Sequence, residues 1–281
     1  MLVHAPAKLN LCLYLGAPRE DGLHDLCSLF EPLALADLIE ITPAERDEVI
    51  CPGVEGENLA ARALAALRES GWEHEPLRIE IEKRVPVAAG LGGGSGDAAA
   101  VLRLAAGEVA DLQQLAAGLG ADVPSQLRPS LALVRGAGER VEPLPEPAEH
   151  AAVLLPGGGG LSTAAVFAEA DRLGLGRSAA ELEELARRLR EIAGAGAGAS
   201  PLDYPEFLVN DLTEAALSLR PEIGEALAAL RAAGAPVAIL SGSGPTAVGL
   251  FPDLAAAREA AAATGYDEAI VCAAGHARLK P

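Results

Sequence analysis

From residue 8 the chain alternates: Lys8, Asn10, Cys12 and Tyr14 interleave with Leu9, Leu11, Leu13 and Leu15. A period of two predicts a strand with the leucines on its core face and Lys8 and Asn10 together on the other. Pro18 and Asp21-Gly22 mark a turn before Leu23-His24-Asp25, where His24 reads first as a loop histidine. Alternation resumes over residues 27–35 and, past Asp37, over 38–41, which predicts two further strands. Asn58 opens an Ala/Leu-rich helix to about Ser70. Then Leu77, Ile79 and Ile81 alternate with Arg78, Glu80 and Glu82, a half-buried strand.

Beyond that strand the period breaks. Residues 98–104 are almost wholly apolar, as in a buried helix, and Gly90, Gly92, Gly93, Gly94 and Gly96 precede them. Residues 111–119 predict a short helix running into Gly120-Ala121-Asp122-Val123-Pro124. There Asp122 is spaced to cap the next helical turn. Residues 131–135 and 140–144 read as a hairpin, and the Pro/Glu-rich stretch 143–150 as a boundary between domains 1–147 and 148–281. The second half reads as a strand at 152–155, a glycine loop at 157–160, and a helix over 162–173 with Thr163 and Phe167 on one face. A Ser178/Glu181 capping box opens a charged helix to about Ile192. A flexible Gly/Ala loop is expected over 194–200. Asn210-Asp211-Leu212 lies in or beside a helix ending before Pro221, and a further helix spans 222–233. Strands at 237–240 and 246–251 flank a second glycine turn, Ser241-Gly-Ser-Gly-Pro245, before a helix at 254–263 and a strand at 269–272. This is an α+β pattern.

The first glycine cluster is the candidate chemistry. Glycines permit positive φ and let a ligand approach backbone N–H groups without a Cβ in the way. Ser95 is placed to cap the following helix, whose free N–H groups and positive dipole end suit an anion. A Walker A loop would need a lysine after Gly94, where Ser95 stands. Gly94, Gly96 and Ala99 can be forced onto a Rossmann fingerprint, but its strand should be buried on both faces, and residues 77–82 alternate. A ligand-free strand-to-helix turn would need only one or two glycines. A phosphate-binding loop accounts for five.

Composition narrows the partners. A net charge of −18 over 281 residues argues against nucleic acid and anionic membranes. Positive potential for a phosphate must then be local: N–H groups, a few lysines and a divalent cation. Only 3% of residues are aromatic, so Ala, Leu and Val must fill the core. No secretory signal precedes the first strand and no apolar run is long enough to span a bilayer. Cys12, Cys27, Cys51 and Cys272 lack metal-ligand spacing, as expected of reduced core residues in a cytoplasmic protein. A serine hydrolase finds no support, because neither Ser95 nor Ser243 sits in G-x-S-x-G.

Taken in order, Ala5-Pro-Ala-Lys-Leu-Asn, Asp21-Gly-Leu-His, Lys83-Arg-Val-Pro with Gly90-Leu-Gly-Gly-Gly-Ser, Gly120-Ala-Asp-Val-Pro, Asn210-Asp-Leu and Leu240-Ser-Gly-Ser-Gly-Pro-Thr closely resemble the GHMP small-molecule kinases over nearly the whole chain. The opening motif, Asp-Gly-x-His and Gly-Ala-Asp-Val-Pro are similar to those of the branch acting on a cytidine-diphosphate-linked methylerythritol in non-mevalonate isoprenoid synthesis. The resemblance implies two α+β domains, one like ribosomal protein S5 domain 2 and one ferredoxin-like, with the site between them. It implies transfer of the γ-phosphoryl group of ATP to the 2-hydroxyl of that substrate.

Lys8 and Asp122 match the family's catalytic pair: Asp122 would accept or orient the hydroxyl proton, and Lys8 would offset charge on the phosphoryl oxygens. Pro86, Val87, Ala88, Ala89, Gly90, Leu91, Gly92, Gly93, Gly94, Ser95 and Gly96 would wrap the ATP phosphates, bridged by Mg²⁺, while Lys83 and Asn58 match positions on the adenine side. His24 would read the cytosine edge, Asn10 and Thr163 would bind polar groups of the substrate, and Phe167 would stack on the base. The partner expected is thus a small molecule, with the chain a monomer or homodimer. Two positions depart from the family pattern: Leu23 stands where a tyrosine is usual, and Gly96 where a second serine is usual. Other readings are a GHMP kinase for another alcohol and a non-catalytic nucleotide sensor. A sensor could dispense with Lys8 or Asp122, and both are present.

Overall fold

The computed structural model describes residues 1–54, 56, 58–194 and 198–274. Of the glycine-alanine loop expected over 194–200, residues 195–197 lie outside the described residues. Strand β1 (Leu2–Pro18) pairs antiparallel with β2 (His24–Pro43) along most of its length. β2 is one strand where the sequence pattern predicts two. Asp37, which looked like the break, sits inside it fully buried. Its carboxylate accepts hydrogen bonds from the backbone N–H groups of Arg84 (2.6 Å) and Val85 (2.8 Å) and from Lys83 Nζ, so the polar residue is satisfied without ending the strand.

β3 (Glu48–Ile50), which the pattern does not announce, pairs parallel with β4 (Leu77–Glu82). Helix α1 (Leu59–Glu69) lies between them in sequence, its N-cap the side chain of Asn58. Next come α2 (Gly93–Leu102), α3 (Leu112–Leu119), α4 (Val123–Gln126) and the hairpin β5 (Ala132–Gly136) and β6 (Arg140–Pro143). The second half runs β7 (His150–Leu155), α5 (Thr163–Leu173), α6 (Ala179–Ala193), α7 (Thr213–Leu219), α8 (Glu222–Ala232), β8 (Val237–Leu240), β9 (Ala247–Phe251), α9 (Leu254–Thr264) and β10 (Ile270–Ala274).

The strands form a single sheet in the order β3-β4-β2-β10-β7-β9-β8, with β1 and β5 also on β2 and β6 on β5. The two halves meet where Ala274 of β10 pairs with Leu33 of β2. One core packs α1, α2 and α3 on β2 and β4, another packs α5, α7, α8 and α9 on β7 and β9, and a third, with α6, joins the halves. With so few aromatics, small residues set the spacing. A Cβ on Gly96 would lie 2.9 Å from the carbonyl oxygen of Pro6, so glycine there lets α2 lie directly on β1.

β1 corrects the simple alternation. It carries bulges between Pro6 and Lys8 and between Asn10 and Cys12. A bulge shifts the phase of the side chains by one. Leu9 and Leu11 therefore share a core with Cys12 and Tyr14, while Leu13 and Leu15 join the second-half core. Every residue of the stretch finds a buried side. Cys12, Cys27 and Cys272 are buried free thiols, and burial pushes those of Cys27 and Cys272 up to about 12, as suits inert packing residues. Among the described residues no helix is long and apolar enough to cross a membrane.

Candidate active site

Lys8 lies between the first two bulges of β1 and is 95% buried, not the surface lysine that alternation alone would suggest. Its Nζ donates to Asn10 Oδ1 (2.5 Å), lies 4.7 Å from the centre of the Phe30 ring, and sits 3.2 Å from Asp122 Oδ2. Asn10 is held in turn by donating from Nδ2 to Ser28 Oγ (3.0 Å). Asp122 stands at the N-cap of α4, with Pro124 in the first turn, yet its side chain makes no capping hydrogen bond. The carboxylate, 31% exposed, turns to Lys8 instead.

The glycine loop passes over this pair. The Lys8 backbone N–H donates to the carbonyl of Leu91 (2.9 Å). Gly92 has φ +67°, and a Cβ there would come within 2.8 Å of Lys8 Cγ. Ser95 does not cap α2: the helix begins at Gly93, three residues earlier than that role requires, so Ser95 falls inside its first turn. The N-cap is Gly92, and no side chain caps the helix. The first N–H groups of α2 are therefore left without the usual side-chain acceptor, at the positive end of the helix.

Residues 86–95 line a cavity of 410 Å³ together with Asn58, Lys83, Asp97 and Thr163. Gly96 is not part of this lining; it faces β1. In the same loop Ala88 holds a positive φ of 53° despite its Cβ, a strained backbone at the cavity wall. Lys83 reaches the cavity from between two carboxylates, bonded to Asp37 and to Asp97 Oδ2 (2.8 Å). Burial alone would lower the Lys83 pKa, but Asp97 and Asp37 raise it. Burial raises the Asp97 pKa against the pull of Lys83, and among the described residues its Oδ1 has no hydrogen-bond partner.

A second glycine turn closes on the first. A Cβ on Gly90 would lie 2.4 Å from the Ser241 carbonyl oxygen and 2.9 Å from that of Gly244, and Ser241 Oγ donates to the Gly90 carbonyl (3.0 Å). Asn210 shapes this turn by donating from Nδ2 to the carbonyls of Leu240 (2.8 Å) and Gly242 (2.7 Å). Thr163 Oγ1 is 3.0 Å from Ser243 Oγ, which joins the head of α5 to the same turn.

Phe167, one turn along α5 from Thr163, meets His24 at the start of β2, with ring centroids 5.1 Å apart and planes tilted by 53°. His24 is buried, and its Nε2 lies 2.8 Å from Asp171 Oδ1. Asp171 has no role in the sequence reading, and Ser243 enters it only within the second glycine turn and as a rejected hydrolase serine. Asp171 had a signal, since it follows Phe167 by four residues on one helical face. Ser243 had one in its glycine-flanked turn. The site residues thus fall into three neighbouring groups: the Lys8–Asn10–Asp122 cluster, the cavity walled by the glycine loop, and the His24–Phe167 pair. Thr163 belongs to the cavity wall and to the helix that carries Phe167.

Residues 58–127 match the family model for the GHMP kinases N terminal domain, and residues 182–266 that for the GHMP kinases C terminal. The chain is 40% identical over 274 residues to 4-diphosphocytidyl-2-C-methyl-D-erythritol kinase of Kineococcus radiotolerans, covering 92% of this chain and 83% of the relative. It is also 40% identical over 274 residues to the protein of that name in Streptomyces coelicolor, covering 92% and 90%. A crystal structure of 4-(cytidine 5'-diphospho)-2C-methyl-D-erythritol kinase superposes with a TM-score of 0.78 at 37% identity, over 98% of this chain and 100% of the other. Homoserine kinase from Cytophaga hutchinsonii shares the fold, with a TM-score of 0.69 at 19% identity over 99% and 96%.

Proposed function

This chain belongs to the 4-diphosphocytidyl-2-C-methyl-D-erythritol kinases of the GHMP kinase family, and from that membership we propose that Lys8 and Asp122 carry its chemistry. The enzyme transfers the γ-phosphoryl group of ATP to the 2-hydroxyl of 4-diphosphocytidyl-2-C-methyl-D-erythritol, in the non-mevalonate route to isoprenoid precursors. The observation behind the proposal is the buried Lys8 Nζ, 3.2 Å from a carboxylate that does not cap its own helix and directly behind Gly92.

In the proposed reaction the substrate oxygen attacks the γ-phosphorus as the bond to ADP breaks, and the hydroxyl proton passes to an Asp122 oxygen. Lys8 offsets charge on the transferring oxygens, and Asn10 fixes the direction of its ammonium. The loop 86–95 and the uncapped start of α2 hold the phosphates. Lys83 is already matched by Asp37 and Asp97 and Lys8 by Asp122, so backbone N–H groups must supply much of the phosphate attraction. That balance supports Mg²⁺ as part of the reading.

Among the described residues no three His, Cys, Asp or Glu side chains are placed to hold a metal. This suits an ion that keeps phosphate and water as most of its ligands. Ser95 Oγ and the unpartnered Asp97 Oδ1 at the cavity wall are the oxygens that would meet it. Bound there, Mg²⁺ would neutralise charge between the β- and γ-phosphates. On the substrate side we assign His24 and Phe167 to the base, and Asn10 and Thr163 to polar groups. Asn58 and Lys83 wall the nucleotide side. The same reading divides the chain into domains at 147/148 and makes it a cytoplasmic enzyme with small-molecule partners.

Asp122→Asn tests the pair. The side chain caps nothing and Asn10 Oδ1 still accepts from Lys8, so the variant should fold, with some loss of stability, and bind an ATP analogue while turnover falls by roughly 10²–10⁴. Turnover near normal would remove Asp122 from the mechanism.

A further inference from the structure

We infer that Ser28 is a positioning residue for phosphoryl transfer: its hydroxyl fixes which way the Asn10 amide points, and through that amide where the Lys8 ammonium is held. This rests on the assignment of Lys8 and Asp122 to the chemistry. The direction of each hydrogen bond follows from the last group in the chain. The carbonyl oxygen of Cys12 can only accept, so the hydroxyl proton of Ser28 is committed to it. Ser28 Oγ is then left to accept from Asn10, and only the amide Nδ2 can donate there (3.0 Å). That turns Oδ1 to Lys8 Nζ (2.5 Å). The reversed amide would set its NH₂ group against the ammonium, donor against donor.

The fold leaves little to replace this hydroxyl. Ser28 lies on β2 between β1 and β5, opposite Leu13 on one side and Val134 on the other. The second bulge of β1 falls between Asn10 and Cys12, the two residues that the hydroxyl joins. Lys8 and Asn10 are buried and Ser28 completely so, which keeps water from readily taking its place. The ammonium has three protons. Asn10 Oδ1 and Asp122 Oδ2 stand against Lys8 Nζ, which leaves one proton for a phosphoryl oxygen. When Asp122 takes the substrate's hydroxyl proton it becomes neutral, and its hold on Lys8 weakens. Asn10 is then the acceptor that keeps the ammonium in place, so its orientation counts most in the transition state.

Steady-state kinetics test the proposal, at a temperature where urea midpoints show each variant fully folded. Ser28→Ala should lower kcat by about tenfold and leave the KM for ATP little changed. Ser28→Thr, which keeps the hydroxyl, should recover most of that loss. A double-mutant cycle with Asn10→Ala separates positioning from packing. Asn10→Ala should itself lower kcat, and in that background Ser28→Ala should cost no further kcat, because the residue it acts through is gone. A folded Ser28→Ala enzyme with the wild-type kcat, a folded Ser28→Thr no faster than Ser28→Ala, or full additivity in the cycle would overturn the role of Ser28. An unchanged kcat in Asn10→Ala would overturn the assignment of Asn10 to Lys8 as well.

Discussion

At the scale of single residues, an aspartate before Val-Pro ordinarily caps a helical turn, and Asp122 has the backbone position for it without the hydrogen bond. What draws it away is Lys8, whose burial between two bulges leaves the ammonium in need of a carboxylate. The sequence pattern identified both residues and their common side of the strand. It did not reveal their meeting, because sequence separation carries no information on how α4 returns to β1. His24, Phe167 and Thr163 were legible in the same sense, whereas Asp171 was hidden by lacking a motif of its own. Leu23 carries a further expectation. It is 52% exposed beside His24. Leu23→Tyr should add base stacking worth about 1 kcal/mol, roughly a fivefold lower substrate Kd, with ATP affinity unchanged. Calorimetry showing no change in substrate affinity would mean that residue 23 does not face the base.

At the scale of elements, alternation located most of the strands, and the Asn58 and Ser178 caps fixed two helix starts. What it could not supply were features whose cause is tertiary. β2 continues through Asp37 because distant N–H groups satisfy the carboxylate, and β1 changes phase at bulges that a binary pattern does not record. The glycine loop was legible as a loop, but not its docking on the second glycine turn. That docking makes the glycines unequal. Gly90 combines a φ of +78° with two carbonyl oxygens inside 3.0 Å of any Cβ, whereas a Cβ on Gly94 would meet only Leu59 Cδ1 at 3.7 Å. Gly90→Ala should therefore cost several kcal/mol of stability and weaken binding of an ATP analogue at least tenfold. Gly94→Ala should change stability by no more than about 0.5 kcal/mol. Denaturation midpoints and calorimetry compare them, and equal effects would mean that the two turns do not constrain each other.

At the scale of the whole molecule, one buried pair spans the halves: His150 Nε2 at the start of β7 lies 3.1 Å from Glu31 Oε2 in the middle of β2. Burial works against the charged imidazole, but the hydrogen bond and charge of Glu31 outweigh it, so the His150 pKa is raised above 6.5. A raised histidine pKa contributes stability that is fully present below the unfolded value and is lost as pH rises through the folded one. Wild type should therefore exceed His150→Gln in stability by about 1–3 kcal/mol near pH 5.5, and by less near pH 9. Urea midpoints that differ by the same amount at both pH values would contradict the pair's role. The joined halves bring together a phosphate cavity, a lysine–carboxylate pair and a base-reading pair, and the central claim is that these serve one cytidylated alcohol. The most direct test is coupled ATP turnover with 4-diphosphocytidyl-2-C-methyl-D-erythritol beside mevalonate, homoserine and galactose. The account predicts ADP formation with the cytidylated substrate and none above background with the other three; comparable turnover of any of those, or no turnover of the cytidylated alcohol, would contradict it.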